Sequence, residues 1–365
     1  MMRSFIGRLD GPSTRGRGRV FWLTATVAFM IAGGCPLALD SYTIGNISLF
    51  LVWVPMALGL CLLWGYGGIL GFGQTAFFGL AAYAYSVASI NLGNGWLATC
   101  GAAFLALAVA VIAAAILGYF MFYGGVGDVF VGIVTLSTTL VLETFLAQTA
   151  GPVWHIGAAR LGGFNGINAM PPISLPWFGD DLVLDGQPLY AVLLGGCAVT
   201  YLALRSFVNS ASGQVLVAAR DNPGRTEMLG YDVAGYRTAA FTIAGGLAGL
   251  SGVAYVAWGQ YITPDSMGLN AAALPVVWVT VGGRRDLTAT LVGTLAVLEL
   301  SQFLAVHGNE YALVALGGLL LAAVLFAPDG IVVAIADLAP RLVPKRVRLA
   351  LFSPRRGAAR QGHMT

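Results

Sequence analysis

The sequence predicts an all-α polytopic membrane protein of about ten transmembrane helices, some of them broken or re-entrant, with one short helix held outside the lipid. Three observations predict it. Of 365 residues, 58% are hydrophobic and only 10% charged, and the mean hydropathy is +0.80. A soluble domain of this size cannot hide so much apolar surface. Apolar runs of membrane-crossing length recur along the chain. Between two of them lies Ala218–Tyr236, AARDNPGRTEMLGYDVAGY, the longest polar and charged interior stretch.

Taken in order, residues 1–19 form a basic segment with Arg3, Arg8, Arg15, Arg17 and Arg19. Beside an apolar span such a run is a positive-inside signal rather than a nucleic-acid site. Spans are expected at about 20–39, 47–64, 74–91, 97–122, 129–149, 189–207, 238–258, 271–283, 288–306 and 311–327. The span 271–283 is short for a crossing of roughly 20 residues, so it is a half-helix or begins earlier. The first span, despite Ala32-Gly33-Gly34-Cys35, reads as an uncleaved anchor. With both ends on the inner side, every one of the 19 basic residues except Arg160 falls inside, including those of a basic tail at 336–365. The membrane part is 20–335. Its outer segment, about 150–188, is rich in Pro and Asp and is expected to be a structured loop, either a landing surface for a delivery protein or a plain connector.

Several stretches can carry chemistry. Trp64–Gln74 places five glycines in nine residues, among them Gly68, Gly71 and Gly73 ahead of Gln74. Regular helix holds poorly there, and broken backbone at membrane depth is tolerated only inside protein or beside a water-filled path. The alternative is a tight turn between spans two and three. Pro55…Trp64…Gly67-Gly68 is loosely echoed by Pro275…Trp278…Gly282-Gly283, which can mark an internal repeat. Gly162-Gly163-Phe164-Asn165-Gly166 demands tight or left-handed backbone, as an outer gate or a surface turn. Glu143 and Glu299 are carboxylates within spans, serving solute or ion coupling or acting as structural glue. In the polar stretch, Asn222 suits an N-cap, Pro223 the first helical position and Gly230 the stop. A helix of about two turns needs a docking partner to persist.

Absences narrow the function. The sole lysine, Lys345, precedes Arg346, so no phosphate loop ending Gly-Lys-Ser/Thr exists and the chain cannot be its own P-loop ATPase. Cys35, Cys61, Cys100 and Cys197 all fall in apolar runs, which argues against a disulfide framework or a zinc site. No nucleophile-elbow motif is present, so no catalytic residue is assigned.

LLWGYGGILGFGQTAFFGLAAYAYS from Leu62, LGGFNGI from Leu161, AARDNPGRTEMLGYDVAGYRTAAFTIAGGLAGLSGVAYV from Ala218, LPVVWVTVGG from Leu274 and EYALVALGGLLLAAVLFAPDGI from Glu310 occur together in this order. With them, residues 45–335 resemble the permeases of ATP-binding-cassette importers for branched-chain amino acids, the LivM-like group, and relatives for urea and short amides. The resemblance implies a bacterial inner-membrane subunit with both termini cytoplasmic. It implies a second permease subunit, two ATPase subunits and an external binding protein as partners. ATP would be used by the partners, with no cofactor, metal or nucleic acid bound by this chain. It makes the loop at about 208–237 the ATPase-coupling element, through Arg220, Asp221, Asn222, Pro223, Arg225, Glu227 and Gly230. A translocation path is expected along Gly68, Gly71, Gly73, Gln74, Glu143, Gly282 and Gly283. Gln74 stands where many relatives have His and Phe164 where many have Thr or Asn, and Trp278 with Gly282-Gly283-Arg284 resembles the urea-type branch more than typical amino-acid permeases; these departures bear on the substrate and not on the class. The rival readings are a urea or short-amide importer, an ion-coupled secondary transporter using Glu143 and Glu299, and a passive channel.

Overall fold

A computed structural model describes residues 9–177, 180–307 and 329–342, with isolated positions between 314 and 327. Eight of its helices are long and apolar enough to cross a membrane. They are α1 (Gly18–Ala38), α2 (Ser41–Leu60, continued by a π-helical turn to Tyr66), α3 (Gln74–Leu92), α4 (Trp96–Tyr123), α5 (Asp128–Ala147), α6 (Gly186–Val208), α9 (Val233–Gly259) and α11 (Leu287–His307). Between α6 and α9 lie α7 (Ala211–Asp221) and α8 (Pro223–Met228). The 14-residue α10 (Leu269–Gly282) precedes α11, and α12 (Ile331–Leu342) follows it.

The expected spans correspond to these helices, with differences that have local causes. The second begins at Ser41 rather than residue 47 because Asp40 caps it, accepting from Thr43 N–H at 3.2 Å and Thr43 Oγ1 at 2.7 Å. The seventh begins at Val233 rather than residue 238, capped by Asp232. The eighth is short, as expected of 271–283, and starts at Leu269 after a 3₁₀ turn at Pro264–Met267. The expected span 311–327 lies largely outside the described residues. Helix α12 runs across residue 335, where the sequence places the end of the membrane part. Helix α7 is an addition to the 208–237 segment, which the sequence presents as a loop with one short helix.

The core is built around α2, which packs on α9, α6, α10 and α11, while α3 and α4 close on α9 from the other side. Small residues make this possible. Ala102, Ala106, Ala110, Ala114 and Gly118 recur every fourth residue on α4 and are all buried. Against them stand Gly245 and Gly249 of α9. A Cβ on Gly249 would sit 2.5 Å from Ala110 Cβ, and one on Gly252 would fall on the Phe78 carbonyl. Lipid supplies no hydrophobic drive between helices, so close backbone approach and dispersion hold such a seam. The outward side of α4 is mostly apolar, with Phe104, Leu105, Ile112, Ile116 and Phe120 exposed and Tyr119 and Tyr123 joining them near its end.

The end of the bundle opposite α7 and α8 carries the 150–188 segment, which is structured as expected. Hairpins pair His155–Ile156 with Ala159–Arg160 and Ser174–Trp177 with Asp180–Val183. Ile167–Asn168 pairs with Tyr261–Ile262, tying this segment to the α9–α10 connection. Gly162, Gly163 and Gly166 have φ of +74°, +56° and +66°, the left-handed backbone that Gly-Gly-Phe-Asn-Gly foretells.

The seam yields a prediction. Gly249→Leu should destabilise the protein by ~1–3 kcal/mol or more through overpacking. Gly101→Leu, at a glycine of α4 with open space beside it, should be tolerated. Thermal melting of the purified variants in detergent reads the difference, and equal midpoints would refute the packing account.

Candidate functional site

The site is assembled at one end of the bundle from three segments far apart in sequence. The first is the Gly-rich break. Helix α2 does not end cleanly: Cys61–Tyr66 is a π turn, with Gly67 N–H donating to Leu62 O at 3.0 Å and Ile69 N–H to Leu63 O at 3.1 Å. Residues 67–73 are then non-helical up to α3. The stretch is buried inside protein, as a broken element must be at this depth. Gly68 has φ +78°, and a Cβ there would sit 2.5 Å from Arg220 Cγ. Gly73 lies on Thr135 of α5, where a Cβ would be 2.7 Å from Thr135 Cβ, and Gly71 is beside the same residue. Thr135 Oγ1 accepts from Phe72 N–H at 3.2 Å. Gln74 is buried at the start of α3, and its Oε1 has no hydrogen-bond partner among the described residues.

The second segment is the break between α10 and α11. Gly283 has φ +132°, and Asp286 caps α11 by accepting from Ala289 N–H at 3.0 Å. Gly282 faces Ala289 and Thr290, where a Cβ would be 2.7 Å from the Ala289 carbonyl oxygen. The two breaks that the sequence only loosely relates touch each other. A Cβ on Gly65 would fall on the Arg284 carbonyl oxygen, which also accepts from Cys61 Sγ at 3.2 Å. The Arg284 guanidinium stands 5.3 Å above the Trp64 ring.

The third segment is α7–α8. Asn222 Oδ1 accepts from Arg225 N–H at 2.9 Å, Pro223 opens α8, and Gly230 at φ +88° ends the turn after Leu229. Helix α8 is six residues long, below the two turns expected. Asp221, Arg225 and Glu227 are exposed. Met228 is 91% and Leu229 72% exposed, an apolar tip on a polar loop that sequence reasoning passed over. Arg220 instead turns inward: Nη1 donates to Gly65 O at 2.7 Å.

Glu143 stands apart from the breaks. It is half-buried on α5, and its Oε1 would be 2.8 Å from a Cβ on Gly268, just before α10. Glu299 is exposed on α11. Among the described residues no group of three His, Cys, Asp or Glu side chains is placed to hold a metal ion.

Sequence reasoning also missed Arg205. Counting charges assigns it to an inner surface, yet it is fully buried. Its Nε donates to Leu9 O at 2.6 Å and Nη1 to Tyr201 Oη at 2.6 Å. Nη2 donates to Gly16 O, and the guanidinium lies over the Phe21 and Trp22 rings at 4.7 and 5.1 Å. Asn209 Oδ1 accepts from Ser13 N–H and Asp286 Oδ1 from Arg15 N–H, at 3.0 and 3.1 Å. Residues 9–17 are thereby strapped across the ends of α6 and α11 beside Tyr66, whose hydroxyl donates to Ser13 O at 3.2 Å.

Comparison with known proteins decides the family. Residues 42–324 match the family described as branched-chain amino acid transport system / permease component. The chain belongs to this family. The permease match takes in both breaks, the α7–α8 loop and the intervening core. The chain is similar to the high-affinity branched-chain amino acid transport system permease protein LivM of Escherichia coli, 23% identical over 346 residues, 88% of this chain and 76% of that protein. The LivM of Salmonella typhimurium is 24% identical over 325 residues, 83% of this chain and 72% of that protein. No solved structure matches. As a permease component the chain is a non-catalytic, multi-pass membrane subunit of an ATP-binding-cassette transporter for branched-chain amino acids.

One prediction concerns the cap of α9. Asp232 accepts from Tyr123 Oη at 2.5 Å and from Gly235 N–H at 3.0 Å. The tyrosine hydroxyl first, and the amide second, hold its carboxyl below the usual range. A lowered folded value means that the cap's contribution is complete at neutral pH and is lost as pH falls through that value. Melting in detergent should weaken over this acid range in the wild type and less steeply in Asp232→Asn; parallel curves would count against the cap.

Proposed function

We propose that this permease carries branched-chain or similar amino acids inward across a bacterial inner membrane. In this reading it works with a second permease subunit and an external binding protein, and two separate ATPase subunits drive it. Both termini and α8 lie on the cytoplasmic side, and the 150–188 segment faces the binding protein. The observation that carries the reading is α8. It is a capped helix too short to stand alone, and it projects two exposed apolar residues, Met228 and Leu229, from the polar, charged loop between two crossing helices. That is the form of a helix-in-groove anchor, with Met228 and Leu229 seated in a cleft of an ATPase subunit and Arg225 and Glu227 at its rim. The path for the solute follows the buried breaks, where Gly68, Gly71, Gly73, Gln74, Gly282 and Gly283 converge, with Glu143 farther along α5. Differential contacts of α8 with the nucleotide-bound and nucleotide-free ATPases would move the permease between its two states.

Uptake of labelled leucine and labelled urea should be compared in cells lacking and regaining the gene, with and without ATP depletion. Leucine uptake that needs both gene and ATP is expected; urea uptake in its place would move the cargo, and uptake that follows an ion gradient without ATP would refute the reading.

For docking, Met228→Asp should cost ~2 kcal/mol or more, on the order of thirtyfold in ATPase affinity. Gly230→Pro, which forbids the positive φ, should uncouple ATP hydrolysis from uptake while the chain still inserts. Normal co-purification of the ATPases with Met228→Asp would remove the anchor assignment.

A further inference from the structure

We propose that Arg220 is the positioning residue that joins the α7–α8 end to the two backbone breaks, so that movement of α8 is delivered to the Cys61–Tyr66 turn and through it to Arg284. This rests on the reading of the chain as an ATP-driven importer subunit, and it gives Arg220 a task inside the permease instead of on the ATPase surface.

The π turn creates the need for such a residue. Gly67, Gly68 and Ile69 donate to the carbonyls of Leu62, Trp64 and Leu63. The Gly65 carbonyl is taken by the Arg220 guanidinium at 2.7 Å. Buried backbone carbonyls need a donor, and here a side chain from another segment supplies it. Arg220 also touches the turn along its stem. Its Cγ occupies the space that a side chain on Gly68 would fill. Gly65 is therefore gripped on two sides, its oxygen by Arg220 and its Cα against the Arg284 carbonyl, which Cys61 Sγ also engages.

The other end of Arg220 is tied to the lever. Its Nε and Nη2 lie 2.9 and 2.8 Å from Asp221 Oδ1. Asp221 directly precedes Asn222, the extended residue that caps α8. With its side chain only 21% exposed, Arg220 has little surface to offer a partner. The planar guanidinium serves the carbonyl and the carboxylate with separate nitrogens, which a lysine ammonium does not reproduce in the same geometry.

The test uses Cys61, whose thiol reports on the turn, as the sole cysteine after Cys35→Ser, Cys100→Ser and Cys197→Ser. In the purified full chain without partners, Arg220→Gln should raise the rate of Cys61 modification by a small methanethiosulfonate on the order of tenfold, and Arg220→Lys should raise it part of the way. An unchanged rate in both overturns the proposal, whatever the chain carries. In the assembled transporter in liposomes, Arg220→Lys should keep the ATPase subunits bound and hydrolysing within about twofold of wild type. Leucine carried per ATP should fall about tenfold or more, and the nucleotide-dependent change in Cys61 modification should disappear. Loss of ATPase co-purification in Arg220→Lys would assign the residue to docking and overturn the proposal, as would wild-type stoichiometry of transport. A wild-type assembly that carries no leucine would sink the importer reading while the Cys61 rates still judge Arg220.

Discussion

The structure depends on the constraint that irregular backbone within a membrane protein must be satisfied by the protein itself. The stretch from Cys61 to Gly73 meets it by collecting donors and acceptors from three other parts of the chain. Arg220 serves the Gly65 carbonyl, Thr135 accepts from Phe72, and Arg284 meets Cys61 and Gly65. The positions of α5, α7 and α10–α11 follow from these contacts as much as from apolar packing. Glycine at 65, 68 and 73 lets the partners come close enough, since a side chain at any of the three would strike one of them.

Around this region the helices divide by composition. The inner set, α2, α3 and α9, is buried over most of its length and brings its backbones close through small residues. The outer set, α4 to α6, buries a narrower stripe, and α1 has no fully buried residue. On α4 the outer side is apolar except for Tyr119 and Tyr123 near its end, while α5 exposes Ser137 and Thr144 among its hydrophobic residues. Among the described residues the charged groups are kept to the helix ends and loops, apart from the carboxylates Glu143 and Glu299. The buried Arg205 sits at the end where residues 9–17 cover it with carbonyl groups and Phe21 and Trp22 of α1 cover it with aromatic rings.

Features governed by neighbours along the chain are legible in the sequence. Hydropathy locates the crossing helices because a lipid-facing or core-facing helix needs little else. Asn222, Pro223 and Gly230 announce α8 because caps and stops act within a few residues. The left-handed glycines at 162, 163 and 166 are legible for the same reason. What escapes are contacts between distant segments. Arg205 looks like any basic residue at a span end until Leu9 and Gly16, almost two hundred positions earlier, are folded over it. Arg220 belongs to a polar loop by its neighbours and to the break by its side chain. The loose echo between Pro55…Gly68 and Pro275…Gly283 suggests kinship, yet its physical content is contact, which spacing does not encode. Helix α7 is hidden because its polar residues resemble a loop, and its apolar run at 215–219 is too short to signal a span.

Pro55 lies inside α2, and the N–H that follows it, on Met56, donates to Ser251 Oγ of α9 at 3.1 Å, a partner 195 residues later in the chain. During synthesis, α2 therefore leaves the ribosome long before the hydroxyl that completes it. Through that interval the helix most deeply enclosed in the finished protein has neither its α9 neighbour nor the cover for its glycine break. Assembly in the bilayer is thus ordered from late to early: the seventh crossing helix completes the second, and a nascent chain halted before Ser251 holds its central helix without the partner that fits it for lipid.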